Sequence, residues 1–557
     1  MRKLPFRDLS YYGVIKEKIG EGVYASVYLY ENENGEKYAV KASINDMFTE
    51  KNSLITYSTV REISSLVYCD DLNILPIIDV CFKWSMTYII MPVMTGSLDK
   101  LSVDYKYKKM AIYQVFKSIE YLHSRDIIHR DIKTENFLYD IENGLPIVKL
   151  ADFGIARFGK CSSDINIFTN DMYTLTYRPP EIILGSGVYD EKSEVWAGGI
   201  MASMIFNKNY IFYGKNEAYE PKYIFHNMIK LLTITPETWP GIEDFPRFND
   251  YYDSKYFKER SKNWAIKETN GDEEFANFLK FVLVADPIKR PTLYDILKHP
   301  YFEDIRQMKK FYDSPPKTTS CLETIRSYNT TIEMNSIPHL ESRLKRLLYY
   351  FKTDFILDLK LNESALYTVM KIIFIFLSKN HFNENWDDMN WNVLIWSVLI
   401  IISKIRADDI SFKILEDNKS IFDMYNIKNL EEMQMMQKLQ EMQNLVLTTI
   451  NFELNQTTPY TFIEFYKKFY SVDVIGVALE ILEIGIPELW YENDETVALA
   501  CILISCVMAK NKFKHIDSIN SYLFTVVDKI IYHASDSDNK YYNQVSKEYN
   551  ANLPVKV

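Results

Sequence analysis

Cysteine is scarce. Six residues, Cys69, Cys81, Cys161, Cys321, Cys501 and Cys506, are scattered over 557 positions, and none forms a Cys-x-x-Cys pair. Such usage predicts reduced thiols in an intracellular compartment. An apolar signal core is missing after Met1-Arg2-Lys3-Leu4-Pro5. The expectation is a protein that is not secreted and works in cytoplasm or nucleus, a host cell's included if the source is viral. Long apolar runs are missing too. The longest, Val393–Ile402 and Ala498–Met508, are too short to span a bilayer and read as buried helices, so no membrane contact is expected. A basic surplus is absent. Lys and Arg number 64 against 75 Asp and Glu, a net charge of −11, and the basic face that nucleic acid requires is not expected. What remains is 47% hydrophobic and 25% charged residues, the balance of a soluble globular protein, in a chain too long for one core.

The densest chemistry lies in His129-Arg130-Asp131-Ile132-Lys133-Thr134-Glu135-Asn136. Within six residues it offers a carboxylate that can act as base for a hydroxyl, an ammonium for a transferring phosphoryl group and an amide that can bind a metal. Other segments bear on the same chemistry. Gly20-Glu21-Gly22-Val23-Tyr24-Ala25 lies between two strand-like runs, Val14–Ile19 and Ser26–Tyr30, and its glycines allow backbone amides to approach phosphates. Asn34-Gly35 then turns the chain into Lys37-Tyr38-Ala39-Val40-Lys41, a strand ending in a lysine. Ser58-Thr59-Val60-Arg61-Glu62-Ile63 sits in a helical pattern. Asp152-Phe153-Gly154 follows Asn136 by sixteen residues, with strand Ile147–Leu150 between.

In this order the motifs resemble those of protein kinases, and the helix at 58–63 resembles the PSTAIRE helix of cyclin-dependent kinases, with Thr56 in place of its proline. The resemblance implies a two-lobed α+β kinase fold over residues 1–305 that uses ATP and Mg2+. It implies Asp131 as the base, Lys133 on the transferring phosphoryl, and Lys41 paired with Glu62. Asn136 and Asp152 would hold magnesium. Nucleotide contacts are implied for Ile19, Gly20, Glu21, Gly22, Val27, Ala39, Lys41, Met91, Pro92 and Met94. Pro92 keeps its carbonyl and loses only its amide.

Thr174-Leu175-Thr176-Tyr177-Arg178-Pro179-Pro180-Glu181 resembles the segment closing the kinase activation loop, and Glu181 would pair with Arg290. Counting back from Glu181 puts Thr169 at the activating phosphothreonine, with Thr174 as the fallback, and Arg61, Arg130 and Arg157 at the family's phosphate clamp. Tyr24 matches an inhibitory phosphotyrosine or is simply an aromatic loop tip. Arg178 implies Ser/Thr-Pro substrates: in proline-directed kinases it satisfies a carbonyl, so the residue after the phosphoacceptor finds no acceptor for an amide, which proline lacks. Glu194-Val195-Trp196-Ala197-Gly198-Gly199 departs from the family's DxWSxG, with a longer carboxylate where an aspartate supports the catalytic loop. The stretch from Leu231 to Ile242 and the run His299-Pro300-Tyr301-Phe302 continue the resemblance.

Residues 306–338 are polar and contain Pro315-Pro316, and read as a linker that spans roughly 30 Å. Beyond it the pattern is helical. Leu359–Leu366, Ile373–Lys379, Val393–Lys404, Met442–Leu447 and Ile450–Pro459 resemble, in order, the signatures of the cyclin box. The implied fold is all-α, with two five-helix repeats at 339–456 and 457–535 and a polar tail at 536–557. An intramolecular kinase–cyclin contact is implied, with Lys404 at the lysine that grips the kinase and Gln443 where its glutamate partner stands. The methionines at 433, 435, 436 and 442 read as core or adaptable interface. Two classes of function stay open. One is a Ser/Thr protein kinase activated in cis by a fused cyclin-like domain. The other is a catalytically weak kinase-like scaffold whose helical half is a protein-interaction adaptor.

Overall fold

The computed structural model describes residues 2–22, 25–43, 55–83, 86–158, 174–208, 210–212, 220–253, 264–308, 363–379, 388–406, 429–454, 458–489 and 494–508, together with 523, 526, 527, 529 and 530. Tyr24, Thr169, most of the expected linker, residues 339–362 and the tail lie outside them. The chain divides into two compact units, Met1–Thr318 and Thr319–Val557, and the division falls inside the expected linker.

The first unit opens with a five-stranded antiparallel sheet in the order β1-β2-β3-β5-β4. Its strands are β1 (Val14–Glu21), β2 (Ala25–Glu31), β3 (Lys37–Ser43), β4 (Asp79–Lys83) and β5 (Met86–Pro92). Helix α1 (Tyr57–Tyr68) is inserted between β3 and β4. Thr56 caps it by accepting from the Thr59 amide at 3.3 Å, and Val60, Ile63, Leu66 and Val67 form its buried stripe. Cross-strand register decides which side chains share a face. Gly20 pairs with Val27, Val27 with Lys41, and Ala39 with Met91. These positions therefore lie on one face. Val40, Tyr30 and Ile90 lie on the other, in a cluster with Leu9, Tyr12 and Cys81.

The rest of this unit is mainly helical. After β6 (Gly96–Ser97) come α2 (Tyr105–His123), β7 (Ile127–Ile128), β8 (Phe137–Glu142), β9 (Leu145–Leu150) and β10 (Arg157–Phe158). Next are α3 (Pro180–Ile183), α4 (Glu191–Asn207), α5 (Pro221–Leu232), α6 (Phe248–Tyr251), α7 (Trp264–Glu268), α8 (Glu273–Val282), α9 (Leu293–Lys298) and α10 (Glu303–Arg306). The buried Ile305 carries this unit's packing to the end of the expected kinase segment. Beyond its polar first turn, helix α4 is apolar on almost every side, and it is buried from Ser193 to Ile205. Its paired glycines permit that. A Cβ on Gly198 would lie 2.7 Å from Phe116 of α2, and one on Gly199 would lie 2.7 Å from Leu283. The expected strands and helices of residues 14–302 thus form, arranged as a β-sheet lobe followed by a helical lobe.

The second unit is described as α11 (Glu363–Lys379), α12 (Asp388–Arg406), α13 (Asn429–Thr449), α14 (Pro459–Tyr466), α15 (Val472–Leu489) and α16 (Asp494–Met508). Helices α11, α12 and α13 pack together, as do α14, α15 and α16. Two groups of helices thus form. They are joined by α11, whose Tyr367 stacks on Tyr460 at 5.4 Å. The Lys371 ammonium of α11 donates to both carboxylate oxygens of Asp494 at the start of α16, each at 3.1 Å. Both residues are buried, and burial pushes the Asp494 carboxyl up to about 6 against the pull of Lys371. Among the described residues no helix is long and apolar enough to cross a membrane.

A buried charge stripped of its partner is costly, whereas an apolar pair of similar volume is tolerated. Lys371→Met in the full chain is therefore expected to lower stability by about 3–5 kcal/mol, and adding Asp494→Leu should recover most of that loss. Urea unfolding of the three proteins checks this.

Candidate active site

Strand β3 carries Lys41 into a cleft lined by α1 and by the segment that follows β9. Its Nζ lies 2.7 Å from each Glu62 carboxylate oxygen and 3.0 Å from Asp152 Oδ1. Burial alone would lower the pKa of Lys41, but the two carboxylates more than reverse it and hold the ammonium above its ordinary range. Asp152 is held below the usual carboxylate range, chiefly by the Lys41 charge. For Glu62, burial pushes upward and Lys41 opposes it. Glu62 is thus a buried partner of Lys41 within the cleft.

The nucleotide-side positions expected from the sequence fall on this same sheet face or at its rim. Ala39 and Met91 are buried, and Ile19 is 46% exposed. Ile19 sits at a register shift between Lys18 and Gly20, a bulge that loosens the strand beside the glycine turn. The turn is closed by Gly22 N–H donating to the Ala25 carbonyl at 2.8 Å. Pro92 ends β5, and Met94 follows it, half-buried.

The catalytic-loop stretch runs from β7 to β8. Asp131 Oδ2 lies 2.7 Å from Lys133 Nζ and accepts from Asn136 Nδ2 at 2.7 Å. Asn136 Nδ2 also donates to the Asp131 carbonyl at 2.8 Å. The carboxylate is thereby oriented as an acceptor between a cation and an amide. The amide group of Asn136 is committed through its nitrogen, and no described donor bonds its oxygen. That oxygen and the Asp152 carboxylate are both hard oxygen donors, on segments joined by the Ala151 N–H bond to the Asn136 carbonyl. That donor set fits magnesium, which keeps several waters and is bound together with substrate phosphates rather than by an all-protein cage. Among the described residues no cluster of three or more His, Cys, Asp or Glu is placed to hold an ion.

Two of these residues adopt left-handed backbone conformations, Arg130 at φ 70° and Asp152 at φ 60°. Each such residue costs about 1–3 kcal/mol and persists only where its surroundings impose it. For Arg130 the restraint is Glu194. Its Oε1 accepts from the Arg130 backbone N–H at 2.6 Å, and its Oε2 from His123 Nε2 at 2.7 Å. The carboxylate is fully buried. The longer side chain therefore reaches the loop, and the geometry left open by the departure from DxWSxG is answered. His123, which sequence reasoning missed, holds the second oxygen; its only signal was a histidine ending the helix that leads into the loop. His129 links the loop to Asp152 by bonding the Ala151 carbonyl at 3.0 Å and meeting Phe153 edge-on at 4.8 Å.

Glu181 and Arg290 form a buried bidentate pair, both contacts at 2.9 Å. Arg290 also donates to the carbonyls of Val284, Ala285 and Lys192. Tyr177 bonds the Thr134 hydroxyl at 2.8 Å, joining the segment before Glu181 to the catalytic loop. A cleft lined by Arg130, Asp131, Ile132, Thr174, Tyr177 and Arg178 opens at this loop. Arg61 and Arg130 are buried, and Arg157 pairs across β10 with Ile128, two residues before Arg130. In the second unit Gln443 is buried and its Nε2 has no hydrogen-bond partner among the described residues. The Lys404 side chain lies outside what is described, so the expected Lys404–Gln443 contact is not placed.

Glu194→Gln keeps the shape of the side chain but sets an amide N–H against one of two donors. Misplacing a reacting group by about 1 Å can cost about 10²-fold, so kcat for phosphate transfer is expected to fall by that order with little change in KM for ATP. Steady-state kinetics on the full chain reads both constants, and an unchanged kcat would show that the loop keeps its shape without the carboxylate.

A cation gripped by two carboxylates, a carboxylate between ammonium and amide, and a further carboxylate beneath the loop make an arrangement that can serve phosphoryl transfer. The family model described as Protein kinase domain matches residues 14–302, more than half of the 557. The chain belongs to the protein kinase family.

Proposed function

We propose that this protein is an ATP-dependent serine/threonine kinase of the cyclin-dependent type, directed to Ser/Thr-Pro sites and activated in cis by its C-terminal helical unit. The observation that carries the reading is the assembled pair of clusters, Lys41–Glu62–Asp152 and Asp131–Lys133–Asn136. In the reaction, the substrate hydroxyl gives its proton to Asp131 while its oxygen attacks the γ-phosphorus of ATP. The bond from that phosphorus to the β,γ-bridging oxygen breaks, and ADP leaves. Lys41 orients the α- and β-phosphates, and Lys133 steadies the transferring group. Magnesium held by Asp152 and Asn136 would neutralise charge on the phosphate oxygens.

Proline direction is supported by Arg178, which lines the cleft beside Asp131. A substrate amide left without an acceptor in such a cleft costs about 1–3 kcal/mol, and proline has no such amide. Cis activation is supported by the second unit's two helix groups and by its cyclin-box-like sequence order. A tethered activator acts at an effective concentration of order millimolar when the linker spans the sites. We also place the protein inside the cell, in keeping with four buried free thiols, Cys69, Cys81, Cys501 and Cys506.

Asp131→Asn in the full chain is expected to reduce phosphate transfer to a Ser-Pro peptide by about 10²–10⁴-fold, while ATP binding persists. Replacing the peptide's proline by alanine should lower kcat/KM by about tenfold or more. Truncation after residue 305 should lower activity relative to the full chain. Equal activity of the two would remove cis activation and favour an adaptor role for the helical half.

A further inference from the structure

The residues preceding β1 form no part of the cleft, yet they connect α1 with the sheet, two of its walls. Arg2 N–H donates to the Val67 carbonyl at 3.1 Å, satisfying one of the carbonyls left open at the end of α1. Its guanidinium lies 3.0 Å from Asp70 Oδ1, just past the same helix end. Four residues on, the chain reaches the first residue of β4. Asp79 is fully buried. Its Oδ1 accepts from Phe6 N–H at 2.7 Å, and its Oδ2 from Arg7 N–H at 2.9 Å and from the Tyr12 hydroxyl at 2.7 Å. Two successive amides aimed at one carboxylate make an anion-binding nest. Phe6 adopts the left-handed conformation, φ 52°, that such a nest needs.

Leu9 and Tyr12 then pack against Val40, Tyr30 and Ile90, on the sheet face opposite Lys41. Tyr12 meets Tyr38 edge-on at 5.0 Å. Gly13 ends the segment at φ 90°, where a Cβ would lie 2.0 Å from the Glu31 carbonyl oxygen. A short stretch of chain is thus bonded at one end to the C-terminus of α1, at its middle to β4, and at the far end to the back of β2, β3 and β5. The Lys41–Glu62 pair spans the same two bodies, β3 and α1, from the cleft side.

We propose that residues 2–13 are a strap that sets the register of α1 against the sheet, and that Asp79 and Tyr12 are positioning residues acting through Lys41–Glu62. The proposal rests on the reading of that pair as the one that orients ATP. Asp79 receives three donors from the strap, so replacing its carboxylate releases the middle of the strap while leaving every cleft residue in place. Tyr12→Phe removes one donor and keeps the ring in its apolar cluster. Neither residue touches the nucleotide positions.

The test uses full-length Asp79→Asn, Tyr12→Phe, Glu62→Gln, the Asp79→Asn/Glu62→Gln double variant and Lys41→Met. Amide hydrogen exchange reports α1 (residues 57–68) separately from β2 and β3. Initial rates report KM for ATP and kcat. Asp79→Asn is expected to speed exchange in α1 while β2 and β3 stay protected. It should raise KM for ATP by about tenfold, as for loss of a charge-assisted hydrogen bond, and leave kcat within about twofold. Tyr12→Phe should move both readouts in the same direction by less. On the Glu62→Gln background, Asp79→Asn should add nothing to KM, since residues acting through one contact are not additive. Wild-type exchange and KM in both strap variants would overturn the proposal. So would equal loosening of α1 and the sheet, which is general destabilisation, or full additivity with Glu62→Gln. Lys41→Met with wild-type KM and kcat would instead overturn the reading of the pair itself, independently of what the strap variants do.

Discussion

One ammonium holds the first unit's cleft together. Lys41 is fixed to β3 by backbone pairing, and its charge is shared between Glu62 on α1 and Asp152 after β9. Three separate pieces of chain must converge for this to happen, and each bears a group with no other reason to be there. The two carboxylates repel one another and one is buried, so they can share this space only with the cation between them. The position of α1 and the conformation at Asp152 are therefore two faces of the same electrostatic requirement.

The catalytic loop shows the same logic with a different device. Here the strained element is the backbone of Arg130, and the restraint is a carboxylate buried beneath it. Glu194 binds the Arg130 amide with one oxygen and His123 with the other. Helix α4 can deliver Glu194 to this depth because Gly198 and Gly199, one turn on, let it sit close against Phe116 and Leu283. Packing between apolar helices thus decides where an acceptor lies under Asp131. Within the loop, Asp131, Lys133 and Asn136 bond one another, above the backbone that Glu194 holds.

The second unit is built on different terms. Five of its six described helices are predominantly apolar, and a buried ion pair joins the two helix groups. Lys371 and Asp494 form a buried pair there, and Tyr466 bonds Glu495 nearby. Such pairs are weak contributors to stability but strong constraints on which helix faces which. A bundle of apolar helices otherwise has many near-equivalent packings, and a buried charge removes those that leave it unpaired.

Much of this was legible in the amino-acid sequence. The strands around Gly20–Gly22, the helix carrying Glu62, and the order of Lys41, Asp131, Asn136 and Asp152 follow from alternation, helical period and motif spacing. Those are local properties of the chain, and in the structure these elements form where the pattern puts them. The pairing of Glu181 with Arg290 was legible as well, through resemblance. The role of His123, the reach of Glu194, the nest formed by Phe6 and Arg7 on Asp79, and the partnership of Lys371 with Asp494 were not. Each joins residues between 64 and 123 positions apart in the chain, with a partner chosen by helix depth or strand register. Sequence by itself determined which elements form and which chemistry they bear, because propensity and periodicity act over a few residues. Only the tertiary structure decided which buried polar group meets which, because that choice is made by close packing between elements distant in the chain.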